Sequence, residues 1–270
     1  MPRVKVGDIN IYYEVHGKGE PLVMIAGITL NTSFWFKAIP VFSREYRLIV
    51  FDNRGAGQSD QPDIPYTTEM MADDLAGLLD VIGIASTHIL GHSMGGMIAQ
   101  QFVLRHPKRV RSLILECTYC GGPGSSMMTG PEAMRFVQRM PSLSGKELMM
   151  DFLRLFMTQK FFDDNPGMMQ QMLGQLMKHP ATPQGSGRQG QAIMGHNAYD
   201  RLPEIKSPTL VIAGDVDKMI PVENSRIIAS RIPNAELVIL KNAGHILIEA
   251  AEESNRIILD FLRRHSTKKS

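Results

Sequence analysis

The segment Gly91-His92-Ser93-Met94-Gly95 constrains this chain more than any other part of its sequence. It follows a short apolar run at residues 87–90 and precedes a helical pattern at residues 97–104. A G-x-S-x-G pattern between a strand and a helix predicts a nucleophile elbow, a turn too tight for side chains at its flanking positions. Such a turn holds Ser93 in a strained backbone conformation with its hydroxyl exposed. A serine alcohol is a weak nucleophile, so the chain should also supply a base and an orienting acid.

The elements predicted around the elbow alternate between strands and helices. This alternation predicts an α/β fold with a mainly parallel, about eight-stranded sheet covered by helices on both faces. The predicted strands lie at residues 4–6, 9–15, 22–25, 48–51, 87–90, 112–115, 209–213 and 236–240, and the predicted helices of this core at residues 34–42, 68–82, 97–104 and 252–264.

Between residues 121 and 199 the predicted strands stop. This stretch contains glycine, proline and serine residues that interrupt segments with the apolar spacing of helices. It also contains most of the chain's methionines. We therefore predict a core domain formed by residues 1–120 and 200–270, interrupted by a helical cap, or lid, at residues 121–199.

Composition excludes several classes of function. The net charge of +2 gives no reason to expect a nucleic-acid partner. No apolar stretch approaches the ~20 residues of a membrane span, and the N-terminus resembles a strand, not a signal peptide. We expect a cytoplasmic monomer or homodimer. Cys117 and Cys120 form a C-x-x-C without a second pair, so we expect two reduced thiols.

The base should be a histidine, because the pKa of imidazole lies near working pH. Of the chain's eight histidines, His245 is the best candidate, since it follows a predicted strand at the carboxyl edge of the sheet. His92 adjoins Ser93 but should point away from it. We expect His179 and His196 to be surface or pocket residues of the cap.

The acid should follow the strand at residues 209–213. The segment Gly214-Asp215-Val216-Asp217 offers two carboxylates there. Asp215 directly follows the glycine and is suited to bracing the turn, whereas Asp217 lies deeper in the loop and could reach a histidine. Spacing alone makes Asp215 and Asp217 nearly equal candidates for the acid, and Glu116 is a third candidate.

In these residues the chain resembles the α/β-hydrolase superfamily, in its esterase, enol-lactonase and C–C hydrolase branch. The resemblance covers nearly the whole chain outside the cap. It is carried by four segments: Gly91–Gly96, Asp52–Ser59, Gly214–Asp217 with Pro221, and Gly244-His245. The resemblance implies that the acid is Asp217, and that Asp52 and Arg54 make internal hydrogen bonds in a structural turn.

The resemblance also implies an oxyanion hole formed by the backbone N–H groups of Ile28 and Met94. Family members usually have His-Gly after the third strand, whereas this chain has Ala26-Gly27. Backbone donors survive a change of side chain, so the oxyanion hole should persist. The rigidity of the loop is the property that Ala26 affects.

Together these residues predict a carboxylic ester hydrolase that works by two-step acyl transfer. Ser93 attacks the carbonyl, His245 takes its proton and Asp217 orients the imidazole. No metal or organic cofactor is needed. The substrate is expected to be a small or medium neutral ester, because few charged residues suggest a carboxylate clamp. The predicted pocket includes Gly27, Trp35, Met127 and Met128, although most methionines of the cap should simply pack it onto the core.

Other functions are compatible with the same residues. The alternatives on the same triad are a 3-oxoadipate enol-lactonase-like enzyme, a C–C bond hydrolase and a perhydrolase. A ligand-binding signalling protein with weak hydrolase activity is a further possibility from another class. A purely structural protein would have no reason to keep the elbow and the histidine loop together.

Overall fold

The computed structural model describes residues 2–127, 130–139 and 145–267. In these residues eight strands form one sheet in the order β1-β2-β4-β3-β5-β6-β7-β8. The first two strands pair antiparallel with their neighbours, and the other pairings are parallel. The predicted α/β class and mainly parallel sheet are therefore confirmed. The strands are β1 (Arg3–Val6), β2 (Ile9–His16), β3 (Glu20–Ile25), β4 (Tyr46–Phe51), β5 (Thr87–His92), β6 (Val110–Glu116), β7 (Thr209–Gly214) and β8 (Glu236–Leu240).

Helices lie along both faces of this sheet. Short 3₁₀ turns also occur, at Thr32–Lys37, Pro107–Arg109, Tyr199–Glu204 and Ile248–Ala250. The α-helices of the described residues are α1 (Ile39–Phe42), α2 (Thr68–Val81), α3 (Met94–Arg105), α4 (Pro131–Arg139), α5 (Gly145–Phe156), α6 (Gln159–Asp164), α7 (Pro166–Leu176), α8 (Pro183–Met194), α9 (Glu223–Arg231) and α10 (Ala251–Arg264).

Side chains of the buried strands alternate between two apolar clusters. Leu22 and Met24 of β3 face one cluster, with residues of α1, α5, α7 and α10. Val23 and Ile25 face the other, with residues of α2, α3 and α9. This is the period of two expected for a strand, and both faces are apolar because helices cover both.

The helices α4 to α8 follow β6 and precede β7, and we call them the helical insertion. Their position in the chain coincides with the stretch at residues 121–199 in which no strands are predicted. The division into a core domain and a cap remains a prediction.

One sequence expectation about a helix needs correction, and one helix has no counterpart in the sequence analysis. The helix predicted at residues 34–42 is a 3₁₀ turn, Thr32–Lys37, followed by the single-turn helix α1 with a proline at its start. The helix α9 was not expected, because its apolar residues are few. No helix of the described residues is long and apolar enough to cross a membrane.

The turn after β4 is held by buried polar contacts, as expected. The Asp52 carboxylate accepts from the backbone amides of Thr32 at 2.6 Å and Gln58 at 2.7 Å. The Arg54 guanidinium donates to both carboxylate oxygens of Asp74, at 2.5 and 2.7 Å, and both side chains are buried. These contacts fix the turn beside the carboxyl end of β3, the parallel neighbour of β4.

We predict that Gly95→Ala destabilises the protein by about 3 kcal/mol, because a Cβ there would overpack the interior. That Cβ would lie 2.0 Å from the backbone oxygen of Ile25, and backbone cannot move aside cheaply. Gly174→Ala is the matched control, since its Cβ would meet nothing within 4 Å. In α7 it should stabilise by up to about 1 kcal/mol. Urea unfolding measures both changes, and equal stability of the two variants would contradict the prediction.

Candidate active site

Ser93 lies in the tight turn between β5 and α3. Its backbone adopts φ 56° and ψ −121°, a conformation that is costly for a residue other than glycine. Glycines make the turn possible, since a Cβ on Gly91 would lie 2.3 Å from the oxygen of Gly95. The backbone of Ser93 is held by the end of β6 and the residues after it: its N–H donates to Glu116 O at 2.9 Å, and its oxygen accepts from Thr118 Oγ1 at 2.7 Å.

His245 and Asp217 are in direct contact. The distance from His245 Nδ1 to Asp217 Oδ2 is 2.7 Å, and both side chains are buried. The other oxygen of Asp217 accepts from the amides of Met219 at 2.8 Å and Ile220 at 2.9 Å. These amides fix the carboxylate, which in turn fixes the orientation of the imidazole.

The second carboxylate of this loop has a different role. Asp215 Oδ1 accepts from the Asn242 amide at 2.7 Å, and its other oxygen lies 3.3 Å from Lys241 Nζ. Asp215 therefore braces the turn. Glu116, the third candidate, contacts His92 and not His245.

The hydroxyl of Ser93 forms no hydrogen bond among the described residues, so Ser93 and His245 are not hydrogen-bonded to each other. The imidazole of His245 nevertheless lies at the elbow, 4.9 Å between ring centroids from His92, which directly precedes Ser93. Without a substrate, hydrogen bonds of this kind are often long or poorly aligned.

The backbone amides of Ile28 and Met94 donate no hydrogen bond to any described residue. Met94 begins α3, so its N–H has no acceptor within the helix. Ile28 lies in the loop at residues 26–31, which we call the β3 loop. Gly27 of this loop is close to the elbow, because a Cβ there would lie 3.2 Å from Ser93 Cβ.

A second imidazole–carboxylate pair lies behind the elbow. His92 Nδ1 is 3.1 Å from Glu116 Oε1, and the His92 ring stacks on Phe34 at 5.2 Å between centroids. Burial lowers the pKa of His92, and the neighbouring His245 lowers it further. Burial therefore favours the neutral form of His92 beside His245.

A family model described as alpha/beta hydrolase fold matches residues 20–251. The chain belongs to the α/β-hydrolase family.

Similar proteins include several hydrolases. The chain is 33% identical over 258 residues to a poly(3-hydroxyalkanoate) depolymerase of Ectopseudomonas oleovorans, an alignment that covers 90% of this chain and 84% of the relative. A thermophilic esterase from Thermogutta terrifontis is 28% identical with a TM-score of 0.83, covering 99% of this chain and 100% of the esterase. The enol-lactonase from Burkholderia xenovorans LB400 is 26% identical with the same TM-score of 0.83, covering 97% of this chain and 100% of the lactonase.

The cysteines of this α/β-hydrolase are both free and buried, and their reduced state remains a prediction. Cys117, Asp217 and His245 each place one potential metal-ligand atom within 4.8 Å of the others. However, the oxygens of Asp217 already accept from His245 and from backbone amides, and burial raises the pKa of the Cys117 thiol well above its usual value. A buried neutral thiol beside an engaged carboxylate is poorly suited to bind a metal ion.

The predicted pocket residues of the hydrolase lie in different surroundings. Trp35 is buried and lines a cavity of about 100 Å³ together with Phe34, Glu116 and Met172. Gly27 and Met127 do not line this cavity; Met127 is half-buried and packs against the apolar cluster of α1, α5, α7 and α10. Met128 lies outside the described residues.

Most methionines of the helical insertion pack against the same cluster. This agrees with the expectation that they join the insertion to the core. They are Met149, Met150, Met157, Met168, Met169, Met172 and Met177.

Glu249 is a residue of this site that the sequence did not indicate. One carboxylate oxygen accepts from the Thr158 amide of the insertion at 2.6 Å, and the other accepts from the Gly244 amide at 3.2 Å. The Ile246 amide also donates to Phe156 O at 3.2 Å. The insertion thus contacts the loop that carries His245, but no local pattern around Glu249 predicts a partner 91 positions away.

The expectation that His196 is a surface or pocket residue is wrong. It is buried, and its Nδ1 lies 3.0 Å from Thr68 Oγ1 at the start of α2. Its Nε2 has no hydrogen-bond partner among the described residues. Burial lowers the pKa of His196 from 6.5 to about 3. His179, by contrast, is exposed and contributes its backbone oxygen to Asn31 at 2.9 Å.

We predict that His196 makes the folded state less stable as pH falls below 6.5, the ordinary value for this side chain. The unfolded chain then binds a proton that the folded chain does not bind until about pH 3, so the free energy of unfolding decreases as pH falls through this range. The free energy of unfolding decreases by up to about 1.4 kcal/mol for each pH unit.

Urea unfolding of the wild type and His196→Gln between about pH 8 and about pH 5 measures this effect. The variant should lose less stability on acidification than the wild type. His179→Gln is the control, because its side chain is exposed, and it should keep the wild-type slope. Identical slopes for the wild type and His196→Gln would contradict the prediction.

Proposed function

We propose that this hydrolase cleaves carboxylic esters, of small to medium size and without charge, through Ser93, His245 and Asp217. The observation that carries the proposal is the buried 2.7 Å contact between His245 Nδ1 and Asp217 Oδ2. It lies at the turn where Ser93 is held in a strained conformation with its hydroxyl unpaired among the described residues. A nucleophile, a base and an orienting acid are the groups that acyl transfer needs.

In the first step Ser93 Oγ forms a bond to the carbonyl carbon, and its proton passes to Nε2 of His245. The carbonyl π electrons move to the oxygen, giving a tetrahedral oxyanion. Asp217 accepts the Nδ1–H bond throughout, so it selects the tautomer that can take the proton and stabilises the imidazolium. When the intermediate collapses, the C–O bond to the alcohol breaks and the leaving alcohol takes the proton from His245.

The second step releases the acid. Water adds to the acyl-enzyme carbonyl as His245 takes its proton, and the bond to Ser93 Oγ breaks as that oxygen is reprotonated. In both steps the oxyanion accepts from the backbone amides of Ile28 and Met94. Support for this role comes from their lack of other acceptors among the described residues.

The charges of the insertion support a neutral substrate. Arg139 pairs with Asp151 at 2.8 Å, and Arg188 pairs with Asp63 at 2.7 Å. Arg154 lies over the Phe162 ring, 4.9 Å from its centroid. A guanidinium that is already paired or stacked is a poor anchor for a substrate carboxylate.

A cyclic ester is the second candidate substrate. It is favoured by the similarity to the enol-lactonase from Burkholderia xenovorans LB400. The similarity to a depolymerase and an esterase supports ester hydrolysis more generally. Lactone opening would use the same residues, with the leaving alcohol remaining attached to the acyl group.

The first experiment is hydrolysis of p-nitrophenyl esters from acetyl to dodecanoyl, with Ser93→Ala as the control. We expect turnover by the wild type that disappears in the variant, and the chain length of fastest turnover measures the acyl pocket. Lactones, C–C hydrolase substrates and peracid formation complete the panel. Equal rates for both proteins on every ester and lactone would rule out this proposal and leave the other chemistries or ligand binding.

We predict that Asp217→Asn lowers kcat on the best ester by about 10⁴-fold. The new side-chain oxygen can keep the bonds from Met219 and Ile220, which leaves an NH₂ group facing Nδ1 of His245. The imidazole must then carry its proton on Nε2, where it cannot accept one from Ser93.

Asp215→Asn is the matched control from the same loop. Its contacts are to Asn242 and Lys241, so we expect a stability change of about 1 kcal/mol or less and little change in kcat. The prediction concerns kcat measured with both proteins folded, as judged by circular dichroism. Similar losses of kcat in the two variants would show that disturbance of the loop, and not loss of the Asp217–His245 contact, lowers the rate.

A further inference from the structure

The β3 loop has little of its own to hold it in shape. Thr29, directly after Ile28, has φ 63°, a conformation that is unfavourable for a β-branched residue. Ala26 carries no polar side chain. Within the loop, the Leu30 amide donates to Gly27 O at 3.3 Å. A strained turn of this kind persists only where surrounding contacts determine it.

Gln189 of α8 makes such a contact. Its Oε1 accepts from the Thr29 amide at 2.8 Å, across 160 positions of the chain. Its Nε2 donates to the backbone oxygen of Arg54 at 2.8 Å. The side chain is completely buried. A carboxamide has one acceptor oxygen and one donor NH₂ group, so glutamine can accept from the Thr29 amide and donate to the Arg54 oxygen at the same time.

The helix α8 is packed closely enough for this short bridge. A Cβ on Gly185, one turn before Gln189, would lie 2.3 Å from the oxygen of Gly55. The N-cap residue Thr182 donates to Gln61 Oε1 at 2.7 Å. These contacts join α8 to the turn after β4, and Gln189 extends the connection to the β3 loop.

We propose that Gln189 is a positioning residue that fixes the β3 loop so that the Ile28 amide points at the oxyanion. The Thr29 N–H belongs to the Ile28–Thr29 peptide, so Gln189 holds the peptide that directly follows Ile28. This restricts rotation about the Ile28 backbone and thereby the direction of the Ile28 N–H, which belongs to the adjoining Gly27–Ile28 peptide. Gln189 itself does not touch the substrate. The inference rests on the proposed function, because it assigns Gln189 to the oxyanion hole of that reaction.

The test uses Gln189→Met, which keeps an unbranched side chain of similar size but removes both hydrogen bonds. Gln191→Met is the matched control, because it is the same substitution in the same helix at an exposed position. Among the described residues, the side chain of Gln191 hydrogen-bonds only to Arg188. Each protein is assayed on the best ester and titrated with an alkylboronic acid. Ser93 Oγ adds to the boron, which becomes tetrahedral and negatively charged and therefore resembles the oxyanion intermediate.

For Gln189→Met we expect kcat to fall about 10- to 100-fold, less than the 100- to 1000-fold typical of losing a donor outright. KM should change little, and the affinity for the boronic acid should fall by the same factor as kcat/KM. A purely structural role would not link these two quantities. Unchanged kcat and boronic-acid affinity, or a change in KM alone, would overturn the proposal.

A second measurement needs neither activity nor a variant. Amide hydrogen exchange of the wild type, followed by NMR, reports on the Thr29 N–H directly. We expect its exchange to be strongly protected, because its partner Gln189 is buried. Fast exchange would overturn the proposal even if Gln189→Met does not fold. Equal turnover by the wild type and Ser93→Ala would instead reject the proposed function, which the exchange measurement does not depend on.

Discussion

The close approach of two backbones at the elbow is the constraint on which the rest of the site depends. Without a Cβ, Gly95 lets the first turn of α3 lie directly against the end of β3, at the oxygens of Ile25 and Ala26. The same approach brings the start of α3 next to the loop that follows β3. The amides of Ile28 and Met94 therefore come from two elements that glycine alone allows to pack together.

The helical insertion contacts the loops on both sides of this elbow. Gln189 of α8 holds the β3 loop at Thr29, and Glu249 joins the insertion to the loop of His245 through the Thr158 and Gly244 amides. The Phe156 ring also lies 5.4 Å from that of His245. We therefore expect the positions of the proposed oxyanion donor and the proposed base to depend on how the insertion packs against these two loops.

The sequence predicted the parts of this molecule that local patterns determine. The buried strands, the elbow and the helix α2 follow from apolar periodicity and from glycine placement. Periodicity could not locate α9, whose apolar face is narrow. Spacing could not separate Asp215 from Asp217, because their difference lies in which backbone amides the folded loop presents to each. The burial of His196 and the bridge made by Gln189 depend on contacts between distant segments, which carry no local signal.

The imidazoles near the elbow show how burial can favour proton transfer. The ring centroids of His92 and His245 lie 4.9 Å apart, close enough for a positive charge on one ring to disfavour a positive charge on the other. Burial lowers the pKa of His92, which favours the neutral form of its ring. Glu116 at Nδ1 fixes its tautomer with the proton facing the carboxylate. In the proposed reaction, His245 can then become an imidazolium with Asp217 beside it and no positive charge on His92 to oppose it.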